Sequence, residues 1–297
     1  MPDAPQRRPG PDRRLVPLGP PGRDGPPVTK PQLKTCGVLG GKGFVGSGLV
    51  EEARRRGYDV TAIDVDEYPS MIGKSFDLFI NANGNSKKFL AAENPSLEFD
   101  LSVRSVARSL QDFKAGLYVH LSTIDVYPNH TDPSANEETA VIDAAAISPY
   151  GLHKYMAEQL VRFYAKRWLM FRMGGFVGSG LWKNSIYDLL KHKPLRVHPD
   201  SVYQYLHKLD LARVIFTVLE KGIEGELFNI AGDGVISLRD AAAEVPGYQF
   251  AADAEAMKRD LYEVSTRKLS AICPLPRTAD TVKTFIRNVL DGKETIK

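Results

Sequence analysis

Cysteine is scarce in this chain, with only Cys36 and Cys273 among 297 residues. Two cysteines cannot form a framework of several disulfides, and neither lies in a CxxC motif or a Cys/His spacing typical of zinc. The six histidines are scattered, so no metal site is predicted. No run of about 18 apolar residues is present, and no membrane-spanning helix is predicted. These absences exclude disulfide-rich, zinc-finger and transmembrane proteins.

Excess charge is equally scarce outside the first thirty residues. The formal net charge is +3, and residues 1–30 account for it with five Arg and one Lys against three Asp. The remaining residues balance 33 basic with 33 acidic side chains. We therefore expect neither nucleic acid nor a membrane as a partner of the folded part.

The same thirty residues contain nine of the twenty prolines and four glycines. Such a segment cannot bury an apolar core, which predicts a disordered Pro/Arg-rich tail over residues 1–30. No apolar stretch follows the arginines, as a secretory signal would require. The expected location is cytoplasmic.

From Lys34 onwards, strand-like apolar runs alternate with helical periodicity. This alternation predicts an α/β fold, a Rossmann-type doubly wound parallel sheet, over residues 31–175. A small C-terminal mixed α/β substrate lobe is predicted over 176–297, with segments near 203–233 returning to the core. The pattern places strands at 34–39, 59–63, 77–82, 116–121, 168–173 and 226–230, and helices at 44–56, 95–113, 148–165 and 209–220.

A glycine-rich segment, GGKGFVG, lies between the first strand and the first helix. Glycines allow the backbone to approach a pyrophosphate, and the following helix offers free N–H groups and a positive dipole end. A turn that binds nothing is the alternative. A P-loop is excluded because Gly43, not Ser or Thr, follows Lys42. The residues predicted to bind a dinucleotide here are Gly40, Gly43, Phe44, Val45 and Gly46.

Asp64 ends the second strand, 24 residues after Gly40. Its carboxylate can accept hydrogen bonds from the adenosine ribose and would repel a 2′-phosphate. The sequence therefore favours NAD over NADP as the cofactor. A plain strand-end turn is the alternative for Asp64, and Asp66 could share its role.

Tyr150 and Lys154 are four residues apart, which places them on one face of a helix. A nearby ammonium favours the phenolate, so we expect Lys154 to lower the pKa of Tyr150 and make it an acid/base group. Tyr187 and Lys191 have the same spacing, which we interpret as chance. Thr123 could donate a hydrogen bond to the same substrate oxygen.

Five segments occur in a characteristic order, and together they carry a resemblance. The segments are GGKGFVG at Gly40, STIDVY at Ser122, SPYGLHK at Ser148, FRMGGFVG at Phe171 and YLHKLDLA at Tyr205. With these segments, the chain from Lys34 onwards resembles an extended short-chain dehydrogenase/reductase of the NAD-dependent epimerase/dehydratase family.

The resemblance implies catalytic roles for Thr123, Tyr150 and Lys154, with Lys154 also holding the nicotinamide ribose. It implies that Asn81 and Ala82 contact the cofactor. The implied function is NAD-dependent epimerisation or dehydration of a sugar, preferably a nucleotide sugar, through a transient keto intermediate. A net dehydrogenase or ketoreductase is the alternative, and a non-catalytic NAD-binding regulator is a third reading. A homodimer is left open.

The chain also departs from the family pattern. Only 13 positions separate Asp64 from Asp77, which curtails the usual helix and strand between them. Tyr203-Gln204 stands where the family has Arg-Asp, and that arginine often binds the diphosphate of a nucleotide sugar. Gly174-Gly175 replaces the usual Phe-Asn. Gly175 and Asn184 are predicted to contact substrate, with a helix cap as the alternative for Asn184.

Asp125, two residues after Thr123, is the clearest clue to the reaction. Family dehydratases often carry an acidic residue at this position as the base for a sugar C5 proton. The alternative is that Asp125 only orients its loop. Lys87, next to Lys88, is predicted to bind an anionic substrate, although such a pair is more often a solvated surface.

Overall fold

The structure is a computed structural model that describes residues 35–297. The predicted tail over residues 1–30 lies outside these residues. No helix within the described part combines the length and the apolar character that crossing a membrane requires.

The described chain alternates strands and helices as the sequence indicates. The strands are β1 (Thr35–Leu39), β2 (Asp59–Ile63), β3 (Ser75–Asn81), β4 (Lys114–Thr123), β5 (Trp168–Met173), β6 (Gly175–Val177), β7 (Val202–Tyr203), β8 (Tyr205–His207), β9 (Glu226–Ile230), β10 (Ile236–Ser237) and β11 (Leu261–Tyr262). The helices are α1 (Phe44–Arg55), α2 (Tyr68–Met71), α3 (Leu90–Glu93), α4 (Pro95–Phe99), α5 (Ser105–Asp112), α6 (Pro149–Tyr164), α7 (Ser185–Leu190), α8 (Lys208–Glu220), α9 (Leu238–Ala242), α10 (Arg267–Ser270) and α11 (Thr278–Leu290).

A parallel sheet in the order β2-β1-β3-β4-β5-β9 forms the centre of the described chain. Leu39 at the end of β1 pairs with Ile63 of β2 on one side and with Asn81 of β3 on the other. The strand order therefore reverses at β1, and the crevice outside the carboxyl ends of such strands is where ligands bind. The predicted doubly wound α/β fold is confirmed.

The central sheet extends by one strand, β2, beyond β1. Only the four-residue helix α2 lies between β2 and β3. Consequently β2 is the last strand on that side, as the short interval between Asp64 and Asp77 predicts.

Apolar side chains cover both faces of the sheet. On one face, α1 and α8 pack through residues such as Leu49 and Phe216. The other face is aromatic, and Phe79 stacks on Phe113 with ring centroids 4.7 Å apart. Burial on both faces explains why the strands read as nearly continuous apolar runs.

A second apolar cluster lies beyond β5 and holds the lobe together. It includes Val177, Ile186, Leu238 and Phe285. Here β7 pairs with β10 and β11, and β6 pairs with β8, while β9 lies in the main sheet beside β5.

The helix expected over 95–113 is interrupted. A π-helical turn, Asp100–Arg104, separates α4 from α5. Such turns occur mostly as single insertions within an α-helix, and this one is too short to be separated from the helical pattern around it.

Candidate active site

A cleft of about 1030 Å³ opens at the carboxyl ends of the sheet. The glycine-rich loop after β1 lies in its wall, with residues that follow β3, β4 and β5. Of the described residues, six lysines and three aspartates line it, so its charge favours an anionic ligand.

The glycines after β1 allow the backbone at the start of α1 to pack closely against the loop that precedes it. Gly40 has φ +77°, a conformation that favours glycine. A Cβ on Gly46 would lie only 2.0 Å from the carbonyl oxygen of Gly40. Helix α1 then begins at Phe44, and no side chain caps its N-terminus. Its first N–H groups are free for an anion such as a dinucleotide pyrophosphate.

Asp64 lies in the cleft wall beside this loop. One carboxylate oxygen, Oδ2, accepts a hydrogen bond of 2.7 Å from the backbone N–H of Lys42. The ammonium of Lys42 is paired with Glu67. The carboxylate of Asp64 disfavours a 2′-phosphate, which fits NAD.

Asn81 is placed differently from the sequence prediction. Its side chain is fully buried and does not line the cleft. It donates to the hydroxyl of Tyr118 at 2.8 Å and accepts from the backbone N–H of Asn83 at 3.0 Å. Asn81 therefore positions the loop that contains Ala82 and Asn83, both of which line the cleft.

Tyr150 and Lys154 project from the first turns of α6 into the cleft. Ser148 caps this helix by accepting a hydrogen bond from the N–H of Gly151 at 3.1 Å. The Tyr150 hydroxyl donates to the carbonyl of Asn85 at 3.1 Å. The Lys154 Nζ lies 5.6 Å from the Tyr150 ring centroid. A Cβ on Gly84 would meet that ammonium at 2.5 Å, which shows how closely the cofactor loop covers it.

The predicted lowering of the Tyr150 pKa is wrong for the site as it stands. Burial raises the pKa of Tyr150 above its ordinary value, and Asp125 and Glu98 act in the same direction. Burial also lowers the pKa of Lys154 to about 8. Spacing on a helix shows which groups are neighbours, but their desolvation depends on the tertiary structure.

His120 lies in the core on β4, and both ring nitrogens lack a hydrogen-bond partner among the described residues. Burial, with a smaller contribution from Lys154, lowers its pKa to about 3. This histidine is therefore neutral at physiological pH and leaves Lys154 as the positive charge in this part of the site.

Thr123 and Asp125 lie together after β4. The Thr123 hydroxyl donates to Asp125 Oδ2 at 2.9 Å. Lys88 Nζ and the Tyr262 hydroxyl donate to the other oxygen, Oδ1, at 2.6 and 2.9 Å. Burial alone would raise the pKa of Asp125, but Lys88, Thr123 and Tyr262 hold it below its ordinary value. Sequence reasoning missed Tyr262, which lies 137 residues away along the chain.

Among the other predicted substrate residues, Gly175 and Asn184 line the cleft, whereas Lys87 does not. Both polar atoms of the Asn184 side-chain amide form hydrogen bonds within the protein. Its oxygen caps α7 by accepting from the N–H of Tyr187 at 3.0 Å, and its nitrogen donates to the carbonyl of Phe176 at 2.8 Å. The structure thus supports the helix-cap alternative. Lys88 and Lys183 supply the ammonium groups of this region.

The fold and these residues define a class, a Rossmann enzyme with a tyrosine–lysine pair beside a dinucleotide loop. A profile of the NAD dependent epimerase/dehydratase family matches residues 36–231. The chain therefore belongs to this family, and NAD is its cofactor. No curated protein sequence matched the chain.

Solved structures with the same fold share little sequence identity. A UDP-galactose 4-epimerase is 20% identical with a TM-score of 0.69, over 87% of this chain and 99% of that chain. A UDP-glucuronic acid 4-epimerase from Bacillus cereus, in complex with UDP-glucuronic acid and NAD, is 16% identical with a TM-score of 0.70, over 86% and 99%. A dTDP-4-dehydrorhamnose reductase from Clostridium acetobutylicum is 18% identical with a TM-score of 0.67, over 86% and 99%. At these identities the likeness shows the fold.

Proposed function

We propose that the protein isomerises or dehydrates a sugar through a transient keto form of the sugar. The observation that carries this proposal is the convergence of Thr123, Tyr150 and Lys154 on one cleft beside the glycine loop. Bound NAD would supply the redox chemistry, a reversible hydride transfer at the sugar carbon. Gly40, Gly46 and α1 would hold the pyrophosphate of NAD, and Asp64 and Lys154 its two riboses.

Tyr150 moves the proton of the reacting sugar hydroxyl at its phenol oxygen. Because burial raises its pKa, Tyr150 needs a neighbouring positive charge before it can act as a base. Lys154, one helical turn away, carries the ammonium placed for this role. As a neutral phenol, Tyr150 returns the proton to the keto oxygen.

Asp125 bears on the choice between epimerisation and dehydration. A base that removes a carbon-bound proton works best when its pKa lies near the operating pH. Three hydrogen bonds instead keep Asp125 ionised and weakly basic. In our proposal Asp125 fixes the position of the Thr123 side chain through the hydrogen bond that it accepts, and epimerisation is the favoured reaction.

A deuterium experiment separates the candidate reactions. Purified protein with NAD is incubated with a panel of sugars and nucleotide sugars in D₂O, and the products are analysed by NMR. Epimerisation yields an isomer with no net change in NAD and no deuterium on carbon. Dehydration yields a deuterated deoxy-keto sugar, and a net dehydrogenase accumulates NADH. No product from any substrate, with NAD bound, would favour a non-catalytic regulator.

A further inference from the structure

In the substrate half of the cleft, one of the lysines carries a charge that no carboxylate of the described residues neutralises. Lys183, just before α7, points its ammonium at the carbonyl oxygen of Ser86 and donates a hydrogen bond to it. Within residues 35–297 no carboxylate is paired with this ammonium. An ammonium has three donor hydrogens, so Lys183 retains two for a ligand in the cleft.

Lys183 lies in positively charged surroundings and is partly shielded from solvent. Its side chain is half-buried beside Trp182, with Nζ 5.1 Å from the ring centroid. Burial, followed by the charges of Lys88 and Lys87, lowers its pKa to about 8. Lys88 differs from it because Asp125 already compensates its charge at 2.6 Å. A bound anion would supply to Lys183 the counter-charge that the described residues do not.

Lys183 is close to the reacting groups. Its acceptor belongs to Ser86, and the preceding residue, Asn85, accepts the hydrogen bond of the Tyr150 hydroxyl. Consecutive Cα atoms are about 3.8 Å apart. Lys183 and Tyr150 therefore bond consecutive carbonyl groups of one loop, and both line the same cleft.

The wall formed by Tyr203, Tyr262 and Asp260 is unsuited to a diphosphate. The Tyr203 hydroxyl donates to Asp260 at 3.0 Å, and its ring stacks on Tyr262 at 5.9 Å. Tyr262 in turn stacks on His130 at 4.1 Å. Because Lys88 is already paired with Asp125, this wall, within the described residues, offers a diphosphate no free ammonium beside the Asp260 carboxylate.

Arginine, the side chain that best matches phosphate geometry, is also missing from the cleft wall of the described chain. Lys208 lies on the cofactor side of the cleft, with Nζ 5.2 Å from the ring centroid of Phe44 in the glycine loop. Lys297 also lines the cleft, and what distinguishes Lys183 is its hydrogen bond to the loop beside Tyr150.

We propose that the substrate is a monosaccharide with a single anionic group, a carboxylate or a phosphoryl group, which Lys183 binds. A nucleotide diphosphate sugar is not the substrate in this proposal. The inference rests on the proposed sugar chemistry and narrows its substrate class.

Calorimetry with the NAD-loaded protein tests the proposal. The probes are glucose, glucuronate, glucose 6-phosphate and UDP-glucose. We expect one charged monosaccharide to bind about 10- to 100-fold more tightly than glucose, the range of a charge-assisted hydrogen bond. The comparison of glucuronate with glucose 6-phosphate identifies the anionic group.

Substitutions assign the effect to Lys183. Lys183→Met should remove most of the preference for the charged sugar, and Lys183→Arg, which keeps the charge, should restore a large part of it. Lys191→Met is the matched control, because Lys191 lies on the same segment but outside the cleft wall, and it should change nothing.

Two results overturn the proposal. One is that neither charged monosaccharide binds measurably more tightly than glucose. The other is that UDP-glucose binds most tightly of the four probes, whatever the effect of Lys183→Met on its affinity. Turnover of UDP-glucose that Tyr150→Phe abolishes would then leave the proposed function standing. Lys183-dependent binding without any sugar product would instead support the anion site and contradict the proposed function.

Discussion

At the scale of single residues, the site depends on how burial changes groups that the sequence only brings near one another. Tyr150 and Lys154 are adjacent on α6, yet their pKa values shift mainly because water is excluded. Asp125 is held ionised by partners from three separate parts of the chain. Each of these shifts can be measured by changing one side chain.

Tyr150→Phe removes the proton carrier and keeps the ring. We expect turnover of the true substrate to fall by about 10²- to 10⁴-fold, the usual contribution of acid/base catalysis. NAD affinity, measured by calorimetry, should change little. Tyr187→Phe is the control and should be nearly silent, because Tyr187 does not line the cleft. Full turnover by Tyr150→Phe would contradict the proposed mechanism.

Lys154 provides a prediction about pH and stability. Its pKa is about 8 in the folded protein against the ordinary 10.5, so the unfolded chain binds more protons between these values. The cost of burying the charge is thus present below pH 8 and is relieved as the pH rises. We compare the free energy of unfolding of Lys154→Met with that of the wild type at two pH values. The variant's advantage should be larger at pH 6 than near pH 10 by up to about 3 kcal/mol, at about 1.4 kcal/mol per pKa unit. Urea titrations at several pH values measure this, and a difference independent of pH would refute it.

Asp64 should decide the choice of dinucleotide. Its carboxylate can bond the adenosine ribose hydroxyls and repels a 2′-phosphate, so NAD should bind more tightly than NADP. In Asp64→Ala this preference should largely disappear, as judged by titrating both dinucleotides. Equal affinity of the unmodified protein for the two would contradict the role given to Asp64.

At the scale of elements, a buried ion pair joins β4, β5 and α6 behind the site. Arg172 on β5 donates two hydrogen bonds to Glu158 on α6, at 3.0 and 2.8 Å. Ser122 on β4 donates to the same carboxylate at 2.5 Å. Because Ser122 precedes Thr123 and α6 carries Tyr150, this pair fixes the distance between the catalytic elements.

Removing one partner of this pair should be costly. Arg172→Met leaves the Glu158 carboxylate buried and unpaired, and we expect a loss of about 3–5 kcal/mol in the free energy of unfolding. The double variant Arg172→Met/Glu158→Leu should recover much of that loss in the same denaturant titration. As a control, Arg167→Met breaks the exposed pair with Glu224 and should cost at most about 1 kcal/mol. If Arg172→Met lowered the free energy of unfolding as little as Arg167→Met, the buried pair would contribute little to stability.

At the scale of the whole molecule, the sheet and the lobe enclose one cleft. Residues from β1 to β5 supply the cofactor side, and Asn184, Tyr203 and Tyr262 supply part of the opposite wall. Buried apolar clusters lie on both faces of the sheet and in the lobe. Residues 35–297 therefore contain an extensive apolar core of their own.

Deleting residues 1–30 should leave the melting temperature and NAD affinity nearly unchanged. The segment has no apolar periodicity that would give it a face to dock. Differential scanning calorimetry of the shortened and full chains makes the comparison. A clear fall in melting temperature would show that these residues pack on the fold.

The sequence by itself determined the features that depend on short-range geometry. Apolar periodicity predicts β5 and β9 at their observed bounds, and the glycine spacing predicts the loop before α1. The interval between Asp64 and Asp77 predicts the narrow sheet edge. Backbone conformation and side-chain period act over a few residues, which is why a sequence pattern shows them.

The tertiary structure alone decided the electrostatics of the cleft. Lys88, Asp125 and Tyr262 meet only because the lobe folds back over the sheet, and no local pattern marks Tyr262 or Lys183. Asn81, predicted to contact the cofactor, lies behind the cleft because its amide is bonded within the core. Burial reversed the direction expected for the Tyr150 pKa. Desolvation and ion pairing depend on which distant residues exclude water and supply charge, and that is settled only when the whole chain has folded.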